Sequence, residues 1–178
     1  AGAVLGENIE IDGIDVSGMD VARARRALVA QRDAYLSSLE YEIRAGEGSV
    51  HANAAELGAS SDLDDVLLKT LCLTQYYPSA NKPRMFHTAL TVDERKLATQ
   101  AKNIAAALSV TPQNAAAEYD REAGEFAYTE AINGLSVDAQ RLADQLKIAV
   151  LAERGASIEP YTTAIPAEYT AEHARADT

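Results

Sequence analysis

EFAYTEAINGLSVDAQRLADQLKIAVLAERG, Glu125–Gly155, is the stretch that decides the fold of this chain. It reads as a strand, a tight corner at Gly134 and then an amphipathic helix, with Leu142, Leu146, Ala149 and Val150 on one face. Ser136 or Asp138 stands where a helix N-cap belongs. A second version lies upstream in EGSVHANAAELGASSDLDDVLLKTL, Glu47–Leu71. At an offset of 76, Gly58 meets Gly134, Ala55 meets Ala131, Ser60 meets Ser136, Asp62 meets Asp138 and Val66 meets Leu142. The chain therefore carries one strand–corner–helix unit twice.

Working outward, the 178 residues suit one domain or two small lobes. Apolar residues make up 47% and aromatics 6% with no Trp, so aliphatic and Ala side chains must fill the core. The formal net charge is −11, from 27 acidic against 16 basic residues. Such a field repels polyanions, which argues against nucleic acid, anionic lipid or teichoic acid as partners. No apolar run is long enough for a transmembrane span. The opening AGAVLGENIE lacks the basic and apolar regions of a signal peptide.

IEIDGIDV, Ile9–Val16, alternates like a strand and breaks at Gly13, where a bulge or kink is expected. Asp20 caps a first helix whose stripe is Ala24, Ala27, Leu28, Tyr35 and Leu39. Arg23, Arg25, Arg26 and Arg32 fall largely off that stripe, as a solvated face. Leu39, Tyr41 and Ile43, followed by the AGEG glycines, predict a hairpin. Asp62 or Ser61 caps a helix that presents Leu63, Val66, Leu67, Thr70, Leu71 and Thr74 on one face. Arg84–Leu90 reads as a strand, and Thr91–Glu94 has capping-box spacing ahead of Leu97, Ala101, Ile104 and Leu108. A further hairpin turns near Ala123–Gly124, and Ile158–Ile165 is a return strand that Pro160 pushes towards a sheet edge. The tail AEYTAEHARADT begins another element.

Hairpins mixed with helices predict an α+β fold, two related β-hairpin–helix–strand units in one elongated module, rather than a doubly wound sheet. The expected division is lobe one at about residues 9–92, a linking helix at about 93–110 and lobe two at about 112–166. Residues 167–178 would start a following element.

The chain has no P-loop, GxGxxG or GxSxG pattern. His51, His87 and His173 are scattered and form no zinc-ligand spacing, so neither a metal nor a cofactor is expected. Cys72, in LLKTLCL, reads as a buried helix cysteine, and Ser136 as a cap or turn residue. Acid pairs such as Asp64–Asp65 or Glu122–Glu125 suit glycoside hydrolysis only if the fold sets them across a cleft. No catalytic set is expected. Candidate ligand-binding residues are Tyr76, Tyr77, Asn81 and Arg84, since exposed tyrosines stack on sugar faces and Asn or Arg binds hydroxyls and carboxylates. The alternative is a helix-terminal loop with one tyrosine packed on the core.

Several of these pieces come together in a known order: GIDVSGM at Gly13–Met19, ELG at Glu56–Gly58, PQNA at Pro112–Ala115, FAYTEAINGLSVDAQRL at Phe126–Leu142, and a final strand before Pro166. In this respect the chain resembles the peptidoglycan-binding domain of VanW-type proteins, found also N-terminal to the catalytic part of some L,D-transpeptidases. It departs from that pattern at Asp20 and Arg23, where members of the family tend to have Thr and Glu. The catalytic transpeptidase segment, with its Ser-His-Gly-Cys signature, is absent from this sequence. The resemblance implies a non-catalytic module on the surface of a Gram-positive-type bacterium. It would bind peptidoglycan or act as a spacer for a downstream VanW-like or transpeptidase domain, and it would reach the membrane only through an N-terminal anchoring helix outside this sequence. It transfers no binding residue. A protein-interaction scaffold repeat on the bacterial surface is the alternative.

Overall fold

The computed structural model describes residues 2–177. Its elements confirm the α+β class: β1 (Ile9–Ile11), β2 (Ile14–Asp15), α1 (Val21–Ser38), β3 (Glu40–Ala45), β4 (Gly48–Asn53), β5 (Ala59–Ser61), α2 (Leu63–Tyr76), β6 (Arg84–Phe86), β7 (Leu90–Val92) and α3 (Glu94–Leu108). They continue as β8 (Ala116–Asp120), β9 (Glu125–Thr129), β10 (Gly134–Val137), α4 (Ala139–Leu151), β11 (Ala156–Ile158), β12 (Thr162–Ile165) and α5 (Ala171–Ala176). The strands form small separate sheets, in the orders β2-β1-β6, β11-β3-β4, β5-β7, β8-β9 and β10-β12.

Two compact units are present, each drawn from separated stretches. The first takes in the chain up to Tyr41, Ala52–Leu97 and Lys147–Gly155. The second takes in Glu42–His51, Ala98–Leu146 and the chain from Ala156 onward.

The first unit is built on Leu5, Ile9, Ile11, Val16, Ala24, Leu28, Leu63, Val66 and Leu67, which form one buried cluster. Each fully buried Leu or Ile contributes about 1.5–3 kcal/mol. Asp20 caps α1 as the sequence predicts, its Oδ1 accepting from the Arg23 amide at 2.8 Å. On α1 the buried positions are Ala24, Leu28 and Leu36, while Tyr35 is exposed. On α2 they are Leu63, Val66, Leu67, Thr70 and Thr74. The Thr70 and Thr74 hydroxyls donate to the carbonyls of Val66 (2.7 Å) and Thr70 (2.9 Å), so these buried polar groups are satisfied inside the helix.

The break at Gly13, expected as a bulge or kink within one strand, is a hairpin turn between two. Asp12 and Gly13 have φ of +50° and +80° between Ile11 and Ile14, which are paired. Positive φ at both central residues is the two-residue turn that Asp-Gly favours. The expected strands Arg84–Leu90 and Ile158–Ile165 are each broken in two. β6 joins β1 in parallel, whereas β7 pairs antiparallel with β5. β11 and β12 likewise enter different sheets, with Pro160 between them. Pro has no N–H to give a ladder, so the chain leaves one sheet there and enters another.

The duplication extends to the hydrogen bonds. The Asp62 amide donates to Ala89 O at 3.1 Å, just before β7, and the Asp138 amide donates to Tyr161 O at 3.0 Å, just before β12. The first helical bond, Val66 N to Asp62 O or Leu142 N to Asp138 O, is 3.0 Å in both copies. Two differences separate them. Asp138 Oδ1 caps α4 through the Arg141 amide (3.1 Å), but Asp62 Oδ1 accepts from the Ala89 amide (2.6 Å) and does not cap α2. Gly58 is a true corner with φ +89°, whereas Gly134 opens β10. A Cβ at Gly134 would stand 2.5 Å from Pro112 Cδ and 2.6 Å from Val110 O, so close approach demands glycine here. Ser136 is accordingly a strand residue opposite Thr163, neither cap nor turn.

At α3 the capping box expected from Thr91 does not form, because Thr91 is taken into β7. Asp93 Oδ1 caps the helix instead, accepting from the amides of Arg95 (3.0 Å) and Lys96 (3.1 Å). Leu97, Ala101, Ile104 and Leu108 are buried as predicted.

Candidate functional site

One face of α1 changes character along its length. Ala24 and Leu28 belong to the core, but the next positions on that stripe are Gln31, Arg32 and Tyr35. Leu28, Gln31, Arg32 and Tyr35 stand at i, i+3, i+4 and i+7, so they share a face. They form one wall of a cleft of about 440 Å³, entirely within the first unit. The other walls are Asp12 of the β1–β2 turn, His87 and Thr88 between β6 and β7, Ser61 and Leu90, and Glu153. Ser61 and Leu90 are register partners in the β5–β7 pair. The volume is in the range of small-molecule sites.

Hydrogen bonds hold this geometry. Asp12 Oδ1 accepts from the Thr88 amide at 2.9 Å and Oδ2 from the Thr88 hydroxyl at 2.5 Å. Gln31 Nε2 donates to Asp12 O at 3.0 Å, tying α1 to the turn. The Arg32 guanidinium pairs with Asp33 at 3.0 Å. His87 Nδ1 lies 3.9 Å from Asp12 Oδ1, too far for a hydrogen bond. The Ser61 hydroxyl is buried and has no hydrogen-bond partner among the described residues. Each Asp12 oxygen accepts one of these bonds, and Arg32, His87, Tyr35, Glu153 and the Gln31 carbonyl oxygen are the further polar groups that line the cleft.

None of the four sequence-predicted binding residues lines this cleft. Tyr76 and Tyr77 end α2 with 80% and 65% of their surface exposed, so neither packs on the core. Asn81 is exposed in the following loop. Arg84, on β6, donates from Nη1 to Tyr77 O (2.7 Å) and from Nη2 to Glu7 O (2.8 Å), fixing the backbone on either side. Cys72 is exposed, contrary to the buried position expected for it. Its place on α2 lies between the buried Thr70 and Thr74, off their stripe. Asp64 forms an ion pair with Arg25 at 2.7 Å. Among the described residues no group of three or more His, Cys, Asp or Glu is placed to hold a metal ion, and no helix is long and apolar enough to cross a membrane.

The motifs quoted from the sequence sit where the backbone is fixed. In GIDVSGM, Ser17 Oγ accepts from the Ile9 amide at 3.0 Å. In ELG, Glu56 and Asn53 exchange side-chain-to-amide bonds of 2.9 Å ahead of Gly58. In PQNA, Pro112 abuts Gly134, Gln113 bridges to Ile132, and Asn114 Oδ1 accepts from the Tyr169 amide at 3.1 Å. In INGLSV, Asn133 Oδ1 accepts from the Ala167 amide at 3.1 Å.

The second unit carries a different surface. On the β8–β9 hairpin Tyr119 faces Phe126 across the ladder with ring centroids 5.1 Å apart, and Phe126 lies 6.4 Å from Tyr128. All three rings are exposed. The Arg175 guanidinium lies 5.7 Å from the centre of the Tyr128 ring.

No family model matches the chain, and no curated protein matches it. Among solved structures it is similar to the Ldtfm–avibactam carbamoyl enzyme, at 8% identity and a TM-score of 0.40 over 83% of this chain. The match covers 49% of that structure, so this chain spans about half its length.

Proposed function

We propose that this chain is a non-catalytic, extracellular cell-wall module that binds peptidoglycan or spaces a following VanW-like or transpeptidase segment from the membrane. The supporting observation is the ordered series of motifs, from GIDVSGM through FAYTEAINGLSVDAQRL, together with their positions. Each motif supplies a cap, a turn or a close backbone approach, so the likeness falls on residues that define the fold. The net charge of −11 is compatible with a partner other than a polyanion. The test is sedimentation with insoluble peptidoglycan. Retention in the pellet is the expected result, and recovery of all the protein in the supernatant would remove the binding role and leave the spacer role. Protease treatment of intact cells should cut the native protein if it stands outside the membrane.

A second reading, a surface scaffold for other proteins, is favoured by the exposed rings of Tyr119, Phe126 and Tyr128. Capture of a protein partner that is lost on Phe126→Ala, without glycan capture, would select it.

A further inference from the structure

We infer that the cleft of the first unit binds a single uncharged sugar ring. This deepens the cell-wall reading, because such rings repeat along a peptidoglycan strand, but it rests on a separate observation: the chemistry of the cleft lining.

A pyranose presents an apolar C–H face and a rim of hydroxyls that both donate and accept hydrogen bonds. The cleft offers the complement of each. Leu90, half-buried, supplies apolar surface, and Tyr35, 42% exposed, supplies an aromatic ring. Arg32 and His87 supply donors, Gln31 and Glu153 supply acceptors, and the Tyr35 hydroxyl can act either way.

The mixed inventory discriminates among ligand classes. An ammonium ligand only donates, and would offer no acceptor to the His87 ring N–H or to the Arg32 N–H groups that Asp33 does not take. A carboxylate or phosphate only accepts, and would meet Asp12 and Glu153, while Arg32 is already paired with Asp33. The overall charge of −11 opposes it further. A hydroxyl-bearing neutral ring satisfies both kinds of group. The site is also pre-organised. The Asp12–Thr88 pair and the Gln31 bond to Asp12 O fix three of its walls, so little ordering is needed on binding.

The experiment is a ¹H–¹⁵N correlation titration of the full chain with N-acetylglucosamine, with lysine methyl ester and succinate as charged comparators. Saturable shifts at Gln31, Tyr35, Thr88 and Leu90 are expected, with a dissociation constant on the order of 1 mM for so small a ligand. Tyr35→Ala, at an exposed position, should keep the fold by circular dichroism and weaken binding about tenfold. Absence of saturation, shifts confined to Tyr119 and Phe126, a stronger response to either charged comparator, or unchanged affinity in Tyr35→Ala would each overturn the inference. Sedimentation with peptidoglycan separates the two claims. Sugar binding without wall retention removes the peptidoglycan-binding role and keeps this site. Wall retention that Tyr35→Ala leaves intact, with no response to sugar, removes this site and keeps the role.

Discussion

Asp12 holds Thr88 twice, with Oδ1 on its amide at 2.9 Å and Oδ2 on its hydroxyl at 2.5 Å, from a backbone with φ +50°. Asp tolerates this left-handed conformation better than most residues with a Cβ. Asp12→Ala removes two acceptors and keeps the strain, so it should destabilise the chain by about 2 kcal/mol in urea unfolding. Asp12→Asn, which retains one acceptor and the conformational preference, should cost less.

Gly134 and Gly124 separate two reasons for glycine. An added Cβ at Gly134 meets Pro112 and Val110 at under 3 Å, whereas at Gly124 it meets nothing within 4 Å but sits at φ +73°. Gly134→Ala should therefore cost about 3 kcal/mol through forced displacement, and Gly124→Ala about 1 kcal/mol through conformation alone. Thermal unfolding of the two variants side by side would reverse the interpretation if Gly124→Ala were the worse.

Helix α3 has one true cap. Asp93→Ala should lower stability by about 1 kcal/mol, because two amides lose their acceptor. Thr91→Ala, at an exposed strand position, should stay within about 0.5 kcal/mol. Equal effects in chemical denaturation would restore the Thr91 cap that the sequence predicts.

Acid and alkali should act through different groups. Hydrogen bonds from Ser17, Arg25 and Lys147 hold Asp15, Asp64 and Glu94 below their ordinary values. Their contribution is complete above the unfolded carboxylate range near about pH 4 and is lost as pH falls through the lower folded values. Burial raises Tyr41, and a hydrogen bond to Asp177 raises Tyr169. Their contribution is complete below about pH 10 and is lost as pH rises through the folded values. Asp64→Asn should shallow the acid limb of a stability–pH curve. Tyr41→Phe, which gives up a 3.3 Å bond to Ala149 O, should shallow the alkaline limb.

Cys72 should react with a disulfide reagent in the folded state about as fast as in denaturant, since it is exposed. Protection until unfolding would return it to the core. Cys72→Ser should leave stability within about 0.5 kcal/mol.

The helices were legible because burial imposes a 3.6-residue period, and Leu63, Val66, Leu67 and Leu97, Ala101, Ile104, Leu108 carry it openly. Short strands were not. A three-residue run such as Arg84–Phe86 has too few alternations to say which sheet it joins, so two expected strands hid a change of sheet. The Asp12–Gly13 hairpin had a local signal, the Asp-Gly dipeptide, which was overshadowed by the alternation around it. The cleft was the least legible feature, since its walls come from separate parts of the sequence. One trace was available. Leu28, Gln31, Arg32 and Tyr35 keep the spacing of a packed helix face while changing from apolar to polar, the pattern of a stripe that leaves a core for a site.

The interleaving of segments sets how this protein can be divided. The shortest continuous stretch that includes every part of the first unit runs through to Gly155 and carries Glu42–His51 and Ala98–Leu146 with it. No pair of cuts in the chain excises either unit alone. Deletion mapping that assigns activities to an N-terminal or a C-terminal half will thus report loss of both, and the gene can be shuffled only as one cassette.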